Sequence, residues 1–340
     1  MNLAKFPRRR YTAGPTPIER MPRFSEALGG PHVYIKRDDL LGLTGGGNKT
    51  RKLEFLVADA LAQGADTLIT CGGIQSNHCR LTLAAAVKEG LKCWLVLSEP
   101  SPGAYRPDGN GNIFLYHLLG AERIKIVPDE VDWPTELDAA AAEAVAAGHR
   151  PYVIPMGGSN AVGALGYVAC AAEIMGQCFD QGLSVDRIVV AGGSAGTVAG
   201  TLLGLEVLHL DVPVTAISVL HPHEQLLANI ERISAETAAY LGVDVQVRPD
   251  AVTCYDAYIG PGYGQPTQEM IEAVKLLART EGILLDPTYT GKAMAGLIDL
   301  ARQGVIRPEE NVLFLHTGGE PSLYAATHLF ADASAGGRVW

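Results

Sequence analysis

The stretch RIVVAGGSAGT, residues 187–197, decides the fold class because it joins a buried strand to a helix through a glycine turn. Residues 187–191 form a short apolar run typical of a strand that is buried on both faces. A helical pattern follows over residues 197–209, and similar strand–helix units recur along both halves of the chain. Alternation at this spacing predicts an α/β protein with parallel sheets flanked by helices.

Length and composition predict two domains with a cleft between them. The chain has 340 residues, of which 47% are hydrophobic and 19% are charged, and these values exclude disorder and fibrous repeats. Domains of about 100–200 residues would divide such a chain into two. The chain would pass from one domain to the other near residues 45–50 and 155–165. We therefore expect a large domain of residues 1–48 and 160–340 and a small domain of residues 49–159.

The net charge limits the partners that we expect, and the cysteine spacing limits the expected compartment and metal sites. A formal net charge of −10 argues against a nucleic acid or an anionic membrane as the partner. No secretory leader is visible, and the charge-free run 188–205 contains five glycines, which favours a strand–loop–helix over a membrane span. The six cysteines form no CxxC pair and no zinc spacing, so we expect reduced core thiols in a cytoplasmic protein without a metal site.

The first segment with chemical potential is GGGNKTRK, residues 45–52, where three glycines precede a lysine that would open a helix. The positive end of a helix dipole lowers the pKa of an amine there, and a neutral lysine attacks aldehydes. A phosphate loop is one alternative, but Asn48 intervenes before Lys49 and the Walker pattern misses by one residue. A solvated lysine in a turn is the other alternative.

Two further glycine segments predict sites for anions. In GGIQSNH, residues 72–78, the side chains and N–H groups before a helix suit a carboxylate, although an ordinary helix N-cap explains the same residues. In GGSAGT, residues 192–197, successive N–H groups and two hydroxyls suit a phosphate. The G-x-G-x-x-G order of dinucleotide sites is missing, which favours another phosphate. A phosphate anchor and an aldehyde-reactive lysine are what pyridoxal 5′-phosphate requires.

Six strings in the chain resemble the D-cysteine desulfhydrase and 1-aminocyclopropane-1-carboxylate deaminase family: GGGNKTRKLEFL (45–56), GGIQSNH (72–78), GGSAGT (192–197), PGYGQP (261–266), EGILLDPTYTGKAM (281–294) and HTGG (316–319). The resemblance runs from about residue 6 to residue 324. It implies the fold of the tryptophan synthase β-subunit, pyridoxal-phosphate fold type II, with two open twisted and mainly parallel sheets. The large domain would then bind the cofactor and the small one the substrate.

The resemblance also implies roles at the matching positions. Lys49 would bond covalently to the cofactor aldehyde and move the proton at the substrate Cα. Ser76, Asn77 and His78 would hold the substrate carboxylate, with Ser76 also placed for acid–base work and Asn77 also at the cofactor 3′-oxygen. The phosphate would be held by Gly193, Ser194, Ala195, Gly196 and Thr197.

Four residues near the end of the chain complete the site that the resemblance implies. Tyr289 would stack on the pyridine ring, Tyr263 would face the substrate, and Thr290 and Thr317 would lie near the ring nitrogen. Both tyrosines, with Lys49 and Ser76, would form the catalytic set. The deaminase branch has a glutamate where this chain has Thr290. A carboxylate keeps the ring nitrogen protonated for ring opening, so the threonine favours β-elimination.

The expected activity is therefore carbon–sulfur lysis of a cysteine-like amino acid, D-cysteine first, giving pyruvate, ammonia and sulfide. L-cysteate sulfo-lysis is the second alternative and cyclopropane deamination the third. His221 or His223 would suit an anionic substituent such as a sulfonate, whereas Glu320 would oppose one. A nucleotide-binding protein, an oxidoreductase and a non-catalytic ligand-binding homologue are the alternatives from other classes. The resemblance implies a homodimer.

Overall fold

The computed structural model describes residues 2–331 and places two sheets within them. Strands in a sheet covered on both faces read as continuous apolar runs, and most of these strands do. Within the described residues the strands are β1 (Ile18–Arg20), β2 (His32–Lys36), β3 (Thr67–Gly73), β4 (Lys92–Glu99), β5 (Arg123–Pro128), β6 (Pro151–Val153), β7 (Arg187–Gly192), β8 (Val214–Ser218), β9 (Val252–Tyr255) and β10 (Asn311–Leu315).

The helices alternate with these strands, and several end at a glycine in the left-handed conformation, which is a common helix stop. Gly90 ends the third helix at φ 70° and Gly182 ends the sixth at φ 61°. In chain order the helices are α1 (Pro22–Leu28), α2 (Lys49–Ala62), α3 (Asn77–Glu89), α4 (Asn112–Leu118), α5 (Trp133–Ala146), α6 (Ala161–Gln181), α7 (Gly196–Val207), α8 (His223–Leu241), α9 (Gln268–Glu281), α10 (Thr290–Arg302) and α11 (Glu320–Tyr324).

The strand order confirms the predicted fold class. The larger sheet runs β1-β2-β10-β7-β8-β9 and is parallel except for the antiparallel pair β1–β2. The smaller sheet runs β5-β4-β3-β6 and is parallel throughout. All strands of the smaller sheet lie between residues 67 and 153. The domain bounds 1–48 with 160–340 and 49–159 stay a prediction, and residues 1 and 332–340 lie outside the described residues.

Each sheet is covered by helices on both faces. Along β7, Ile188 and Val190 pack with α6, α7 and α8, whereas Val189 and Ala191 pack with α1, α9 and α10 on the other face. This alternation is the two-residue period of a strand. The smaller sheet packs against α2, α3 and α4 on one face and α5 on the other. Both covered sheets therefore carry their functional residues at strand ends, where loops reach solvent.

Several elements differ from the sequence analysis. Helix α10 and strands β1 and β9 were not predicted. Helix α10 runs continuously through two glycines, where a side chain would not fit: a Cβ at Gly291 would lie 2.7 Å from the Asp286 carbonyl and one at Gly296 would lie 2.8 Å from Ile217. Close packing there overrides the low helix propensity of glycine. The turn Asp38–Leu40 separates the glycine loop 45–47 from β2.

A buried ionic cluster fixes the start of α2 to the larger sheet. The Arg51 guanidinium donates to both carboxylate oxygens of Asp38, at 2.7 and 2.8 Å, and to Glu173 of α6. Lys36 of β2 donates to the same Glu173 at 2.6 Å, and the Tyr167 hydroxyl donates to Asp38. Because each charge is paired and hydrogen-bonded, the cluster is stable although it is almost fully buried. It holds α2 at a defined place beside β2.

The cysteines and the one long apolar helix both lie in the core. All six cysteines are free and buried, as the sequence analysis expected. Within residues 2–331 one helix, Ala161–Gln181, is long and apolar enough to cross a membrane by length and composition alone. Its side chains at Ala164, Tyr167 and Ile174 are fully buried in the core beside β7, so the fold itself accounts for its composition.

Candidate active site

A cavity of about 300 Å³ lies between the two sheets and brings together three glycine segments that are far apart in sequence. The walls come from the ends of β3, β4, β5 and β7 and from the starts of the helices that follow. Residues predicted from the sequence that line the cavity are Lys49, Ser76, Asn77, His78, Gly193, Ser194, Ala195, Thr197, His221, Tyr263, Tyr289 and Thr317. Parallel strands that end at one edge therefore converge on one site.

Lys49 is the first residue of α2, as predicted, and its amine lies in the cavity. Its Nζ donates to Asn48 Oδ1 at 3.0 Å, and Asn48 Nδ2 donates to Thr197 Oγ1 at 2.9 Å. Asn48 thus joins the amine to the glycine turn 192–197. Burial lowers the pKa of Lys49 to about 8, while the nearby Asp286 carboxylate acts in the opposite direction. A substantial neutral fraction near neutral pH makes this amine a nucleophile.

The turn between β7 and α7 forms an anion cradle. Ala195 adopts φ 66°, a left-handed conformation that is uncommon for a residue with a Cβ, and so turns the chain into α7. The N–H groups of Ala195 and Thr197 have no acceptor within residues 2–331. Free N–H groups at a helix start attract an anion. Gly193, Ser194, Ala195 and Thr197 line the cavity, whereas Gly196 directs its N–H to Ser159 Oγ at 3.2 Å.

Lys52 is a second amine beside the cradle, and the sequence analysis missed it. It lies one helical turn after Lys49 and is 1% exposed. Its Nζ donates to the Gly157 carbonyl at 3.0 Å and to Ser159 Oγ at 3.1 Å. A Cβ at Gly196 would lie only 2.9 Å from this nitrogen. Burial, and then the charge of Lys49, hold the pKa of Lys52 well below its usual value. A bound anion would compensate its charge.

The start of α3 forms the opposite wall. Ser76 caps the helix by accepting from the Cys79 N–H at 3.2 Å, as in the N-cap alternative. The N–H groups of Asn77 and His78 have no acceptor within the described residues. Asn77 Oδ1 accepts from Asn112 Nδ2 at 2.9 Å, which leaves its own amide as a donor. The cap and an anion site therefore coexist at this helix start.

The comparisons with known proteins agree with this geometry. A family model described as pyridoxal-phosphate dependent enzyme matches residues 10–318. The chain belongs to this family. It is 47% identical over 325 residues to a D-cysteine desulfhydrase of Klebsiella pneumoniae (strain 342), covering 95% of this chain and 97% of that protein. A crystal structure described as an ACC deaminase homologue matches with a TM-score of 0.86 and 41% identity, covering 96% of both chains.

Family membership confirms the predicted resemblance, fold and cofactor, and it argues against the nucleotide-binding alternative. The residues present fit pyridoxal phosphate. The cradle and Lys52 suit its phosphate, and the Lys49 amine suits its aldehyde. A Cβ at Gly193 would lie 3.3 Å from the Tyr289 ring, so the glycine lets the turn 192–197 approach the tyrosine without a tight contact. Among residues 2–331 no group of three His, Cys, Asp or Glu side chains could hold a metal ion.

The side chain of His78 is neutral in the active site of this pyridoxal-phosphate enzyme. Its Nε2 lies 2.7 Å from Thr70 Oγ1, and that hydroxyl donates to the Ile154 carbonyl. Nε2 is therefore assigned as the donor to Thr70. The Nδ1 atom is buried without a hydrogen-bond partner. Burial and the charges of Lys49 and Lys52 hold the pKa of His78 well below its usual value. Its backbone N–H is thus a better partner for a carboxylate than its ring.

Two tyrosines form the outer wall of the cavity. Their hydroxyls share a hydrogen bond and their rings are 5.9 Å apart at an angle of 70°. Lys49 Nζ lies 5.9 Å from the centroid of the Tyr289 ring. The desolvated environment raises the pKa of Tyr263 to about 12 and holds that of Tyr289 well above its usual value, so both hydroxyls keep their protons near neutral pH. Tyr263 remains 37% exposed and faces the mouth of the cavity.

Thr317 and Thr290 occupy different positions. Thr317 lines the cavity, and its carbonyl accepts from the Asn48 N–H at 3.0 Å. Thr290 is fully buried and is absent from the cavity wall described here. Its hydroxyl donates to Asp286 Oδ1 at 2.7 Å and accepts from the Asp286 N–H at 2.8 Å. Asp286 also accepts from the N–H groups of Thr288, Tyr289 and Thr290, at and just before the start of α10. The ring-nitrogen role of both threonines stays a prediction.

Of the three charged or titratable positions singled out for the substrate, only His221 lines the cavity. Burial lowers the pKa of His221, so it is a weak partner for an anion near neutral pH. His223 Nδ1 instead pairs with the Cys254 carbonyl, and Glu320 accepts from the Tyr324 hydroxyl. An acid that the sequence analysis missed, Asp129, does line the cavity.

Asp129 directly follows β5, and its Oδ1 accepts from the Ser98 hydroxyl at 2.9 Å. Ser98 pairs with Gly73 across the smaller sheet, next to the second glycine segment. The only advance signal for Asp129 was therefore its place after a strand. Trp133, at the start of α5, and Met156 were missed in the same way.

Proposed function

We propose that this enzyme catalyses α,β-elimination of a cysteine-like amino acid, with D-cysteine as the first candidate. The Cα proton is removed, the Cβ–S bond breaks, and one water is consumed as the products become pyruvate, ammonia and sulfide. The 47% identity to a D-cysteine desulfhydrase over nearly the whole chain supports this choice.

The observation that carries the proposal is the link from Lys49 through Asn48 to Thr197. It places an amine whose pKa is lowered to about 8 beside an anion cradle. The Lys49 Nζ would bind the cofactor aldehyde, and the same amine would accept the substrate Cα proton. A general base with a pKa near the working pH is the most effective one.

The residues that we propose to bind the cofactor and the substrate carboxylate lie on both walls of the cavity. Gly193 to Thr197 and Lys52 would hold the cofactor phosphate, Asn77 would donate to the ring 3′-oxygen, and the Tyr289 ring would cover one face. When bound, the cofactor supplies the electron sink for the Cα carbanion. The free N–H groups at the start of α3, with Ser76, hold and orient the substrate carboxylate.

We assign Tyr263 to the sulfur that leaves the substrate. Its hydroxyl keeps its proton near neutral pH, and it lies at the mouth of the cavity on the hydroxyl of Tyr289. It donates a hydrogen bond that stabilises the departing hydrosulfide, and this anion takes up a proton from water at the mouth of the cavity and leaves as hydrogen sulfide. Ser76, whose Oγ already accepts a hydrogen bond, keeps its own hydroxyl proton available for the same purpose.

Cyclopropane deamination is the second candidate, because a crystal structure described as an ACC deaminase homologue matches with a TM-score of 0.86. Thr290 argues against it. A neutral hydroxyl tied to Asp286 offers no charge to hold a protonated ring nitrogen, which ring opening needs more than β-elimination does. Sulfite release from cysteate is a third candidate, and the lack of a charged histidine at His221 disfavours it.

Two measurements test the proposal. Purified protein with its cofactor should absorb visible light and lose that absorbance with borohydride, which fixes the cofactor on Lys49. A pyruvate-release screen then compares D- and L-cysteine, both cysteates, β-chloroalanine and the cyclopropane amino acid, with release from D-cysteine expected to be fastest.

Substitution of the lysine supplies the control for that screen. Lys49→Ala should retain the cofactor non-covalently and lose turnover. Lys92→Ala, which removes an exposed lysine paired with Glu122, should leave turnover unchanged. Pyruvate formation at the wild-type rate by Lys49→Ala would exclude the assignment.

We also propose that the protein is a homodimer and that it works in the cytoplasm. The resemblance implies the dimer, and the reduced state of all six buried cysteines fits a reducing compartment. Sedimentation equilibrium of the purified protein, near 72 kDa for two 36.0 kDa chains, is the test of the dimer. A single species at 36.0 kDa would contradict it.

A further inference from the structure

Lys292 is a buried cation that the proposed reaction does not use. It lies on α10, its side chain is fully buried, and its Nζ donates to the Ile259 carbonyl at 2.6 Å and the Gly262 carbonyl at 2.9 Å. Burial lowers the pKa of Lys292 to about 8, and the Asp286 carboxylate acts in the opposite direction. A cation in the core is costly unless it satisfies a specific need, and here it binds two backbone carbonyls of one loop.

That loop carries Tyr263. Residues 256–266 connect β9 to α9, and most of them are exposed, so packing alone holds them weakly. Besides Lys292, the loop has a second tether on α10, where the Tyr258 hydroxyl donates to Asp299 Oδ2 at 2.8 Å. The Gly262 carbonyl held by Lys292 directly precedes Tyr263. Tyr289, the partner of Tyr263, caps the same helix α10.

We propose that Lys292 is a positioning residue that fixes the Tyr263 hydroxyl against Tyr289 and over the mouth of the cavity. Because one helix carries both Lys292 and the cap residue Tyr289, the amine sets the distance between the two tyrosines through the backbone of the loop. The proposal rests on the proposed function only for the step in which Tyr263 acts. The tether itself is independent of the substrate.

The effect of removing the amine follows from the loss of both carbonyl contacts. Lys292→Met keeps the aliphatic volume but leaves the Ile259 and Gly262 carbonyls without their buried donor. The loop then moves toward solvent, and Tyr263 loses its defined position. A misplacement of about 1 Å of a group that acts in the reaction costs up to about 100-fold in rate, so we expect kcat to fall at least about tenfold.

A double-mutant cycle separates this role from a merely structural one. Lys292→Met and Tyr263→Phe are measured alone and together, with kcat and KM determined for the best substrate of the pyruvate screen. If the lysine acts through the tyrosine, Lys292→Met lowers kcat in the wild-type background and by less than about twofold in the Tyr263→Phe background. Losses that multiply in the double variant overturn the proposal.

Hydrogen exchange of the purified protein without substrate supplies a second readout. The amides in residues 259–263, where only Pro261 lacks one, should exchange faster in Lys292→Met, whereas those of α7 should not change. Tyr258→Phe, which cuts the other tether, is the matched control and should mobilise the loop near residue 258 with a smaller loss of kcat. If Lys292→Met does not fold, Lys292→Gln, which keeps a shorter neutral donor, replaces it.

The outcomes distinguish the two proposals. Without pyruvate from any substrate the proposed function fails, while faster exchange in 259–263 still supports the tether. With pyruvate release present, unchanged exchange of these amides in the lysine variant overturns the role of Lys292 alone.

Discussion

Gly196 allows a sharp test of the anion cradle, because a methyl group there would meet both Ser159 and Lys52. A Cβ would lie 2.6 Å from Ser159 Oγ and 2.9 Å from Lys52 Nζ, whereas ordinary contacts begin near 3.4 Å. Gly196→Ala therefore forces the hydroxyl back by about 0.8 Å and the amine by about 0.5 Å. Lys52 belongs to the set that we assign to the cofactor phosphate, and Ser159 Oγ bonds with both Lys52 and the Gly196 N–H.

The magnitude follows from the hydrogen bonds at risk. Ser159 Oγ bonds with Ser194 Oγ at 2.8 Å, with the Gly196 N–H at 3.2 Å and with Lys52 Nζ at 3.1 Å. Weakening two such bonds at about 1 kcal/mol each costs about 2 kcal/mol. That cost corresponds to about a 30-fold rise in the Kd for pyridoxal phosphate. Absorbance titration of the apo-protein with the cofactor measures it.

Two glycine controls separate cofactor binding from folding. One turn further along α7, a Cβ at Gly200 would lie 2.4 Å from the Ala164 carbonyl, so Gly200→Ala should lower the free energy of unfolding by about 1–3 kcal/mol. It should change the cofactor Kd little. Gly176→Ala, exposed in α6 with no atom within 4 Å, should raise the free energy of unfolding by about 0.5–1 kcal/mol. The reasoning is refuted if Gly196→Ala binds the cofactor like wild type, or if Gly200→Ala weakens binding as much.

Three other predictions concern charge at the site. Capture of the cofactor aldehyde by apo-protein should rise with pH around a midpoint of about 8, because only neutral Lys49 attacks; a midpoint near the usual lysine value would contradict this. Thr290→Val should lower the free energy of unfolding by about 1–3 kcal/mol in urea denaturation, since Asp286 loses a buried donor. Thr290→Ser should retain most of the wild-type free energy of unfolding. Equal stability of both variants would count against the contact. Asp129→Asn should raise kcat/KM for cysteate several-fold relative to cysteine, an effect that salt weakens; an unchanged ratio would remove Asp129 from substrate selection.

Much of the fold was predictable because the sheets are buried on both faces. Continuous apolar runs such as residues 187–191 mark central strands, and glycines such as Gly90 mark helix ends. The edge strands β1 and β9 lack this signal, since they are short and only partly covered. Helix α10 was hidden because its packing against Ile217 and Asp286 requires glycines that disfavour helices. Local propensity and tertiary packing disagree there, and packing decides.

The candidate site was predictable where a motif carries its chemistry, and not where the fold alone supplies the residue. Lys49 and the glycine turns stand out in the sequence. Lys52 had a usable signal, since it lies one helical turn from Lys49 on the same side of α2. Asp129 lies in a loop that only the strand order brings to the cavity, and Ser159 lies in another loop that bonds with the turn 192–197. Thr290 is the opposite case: it occupies a motif position, but its hydroxyl binds the buried Asp286 carboxylate and does not line the cavity.

The six buried cysteines have a consequence for a protein proposed to turn over a thiol. Burial raises the pKa of each of their thiols, to about 11 for Cys254 and about 12 for Cys79, so none is a ready nucleophile. Even Cys71, on the cavity wall, is 0% exposed. Mixed disulfides with oxidised substrate, and persulfides from released product, need a reachable thiolate. The polypeptide is thereby insulated against modification by the sulfur compounds it handles.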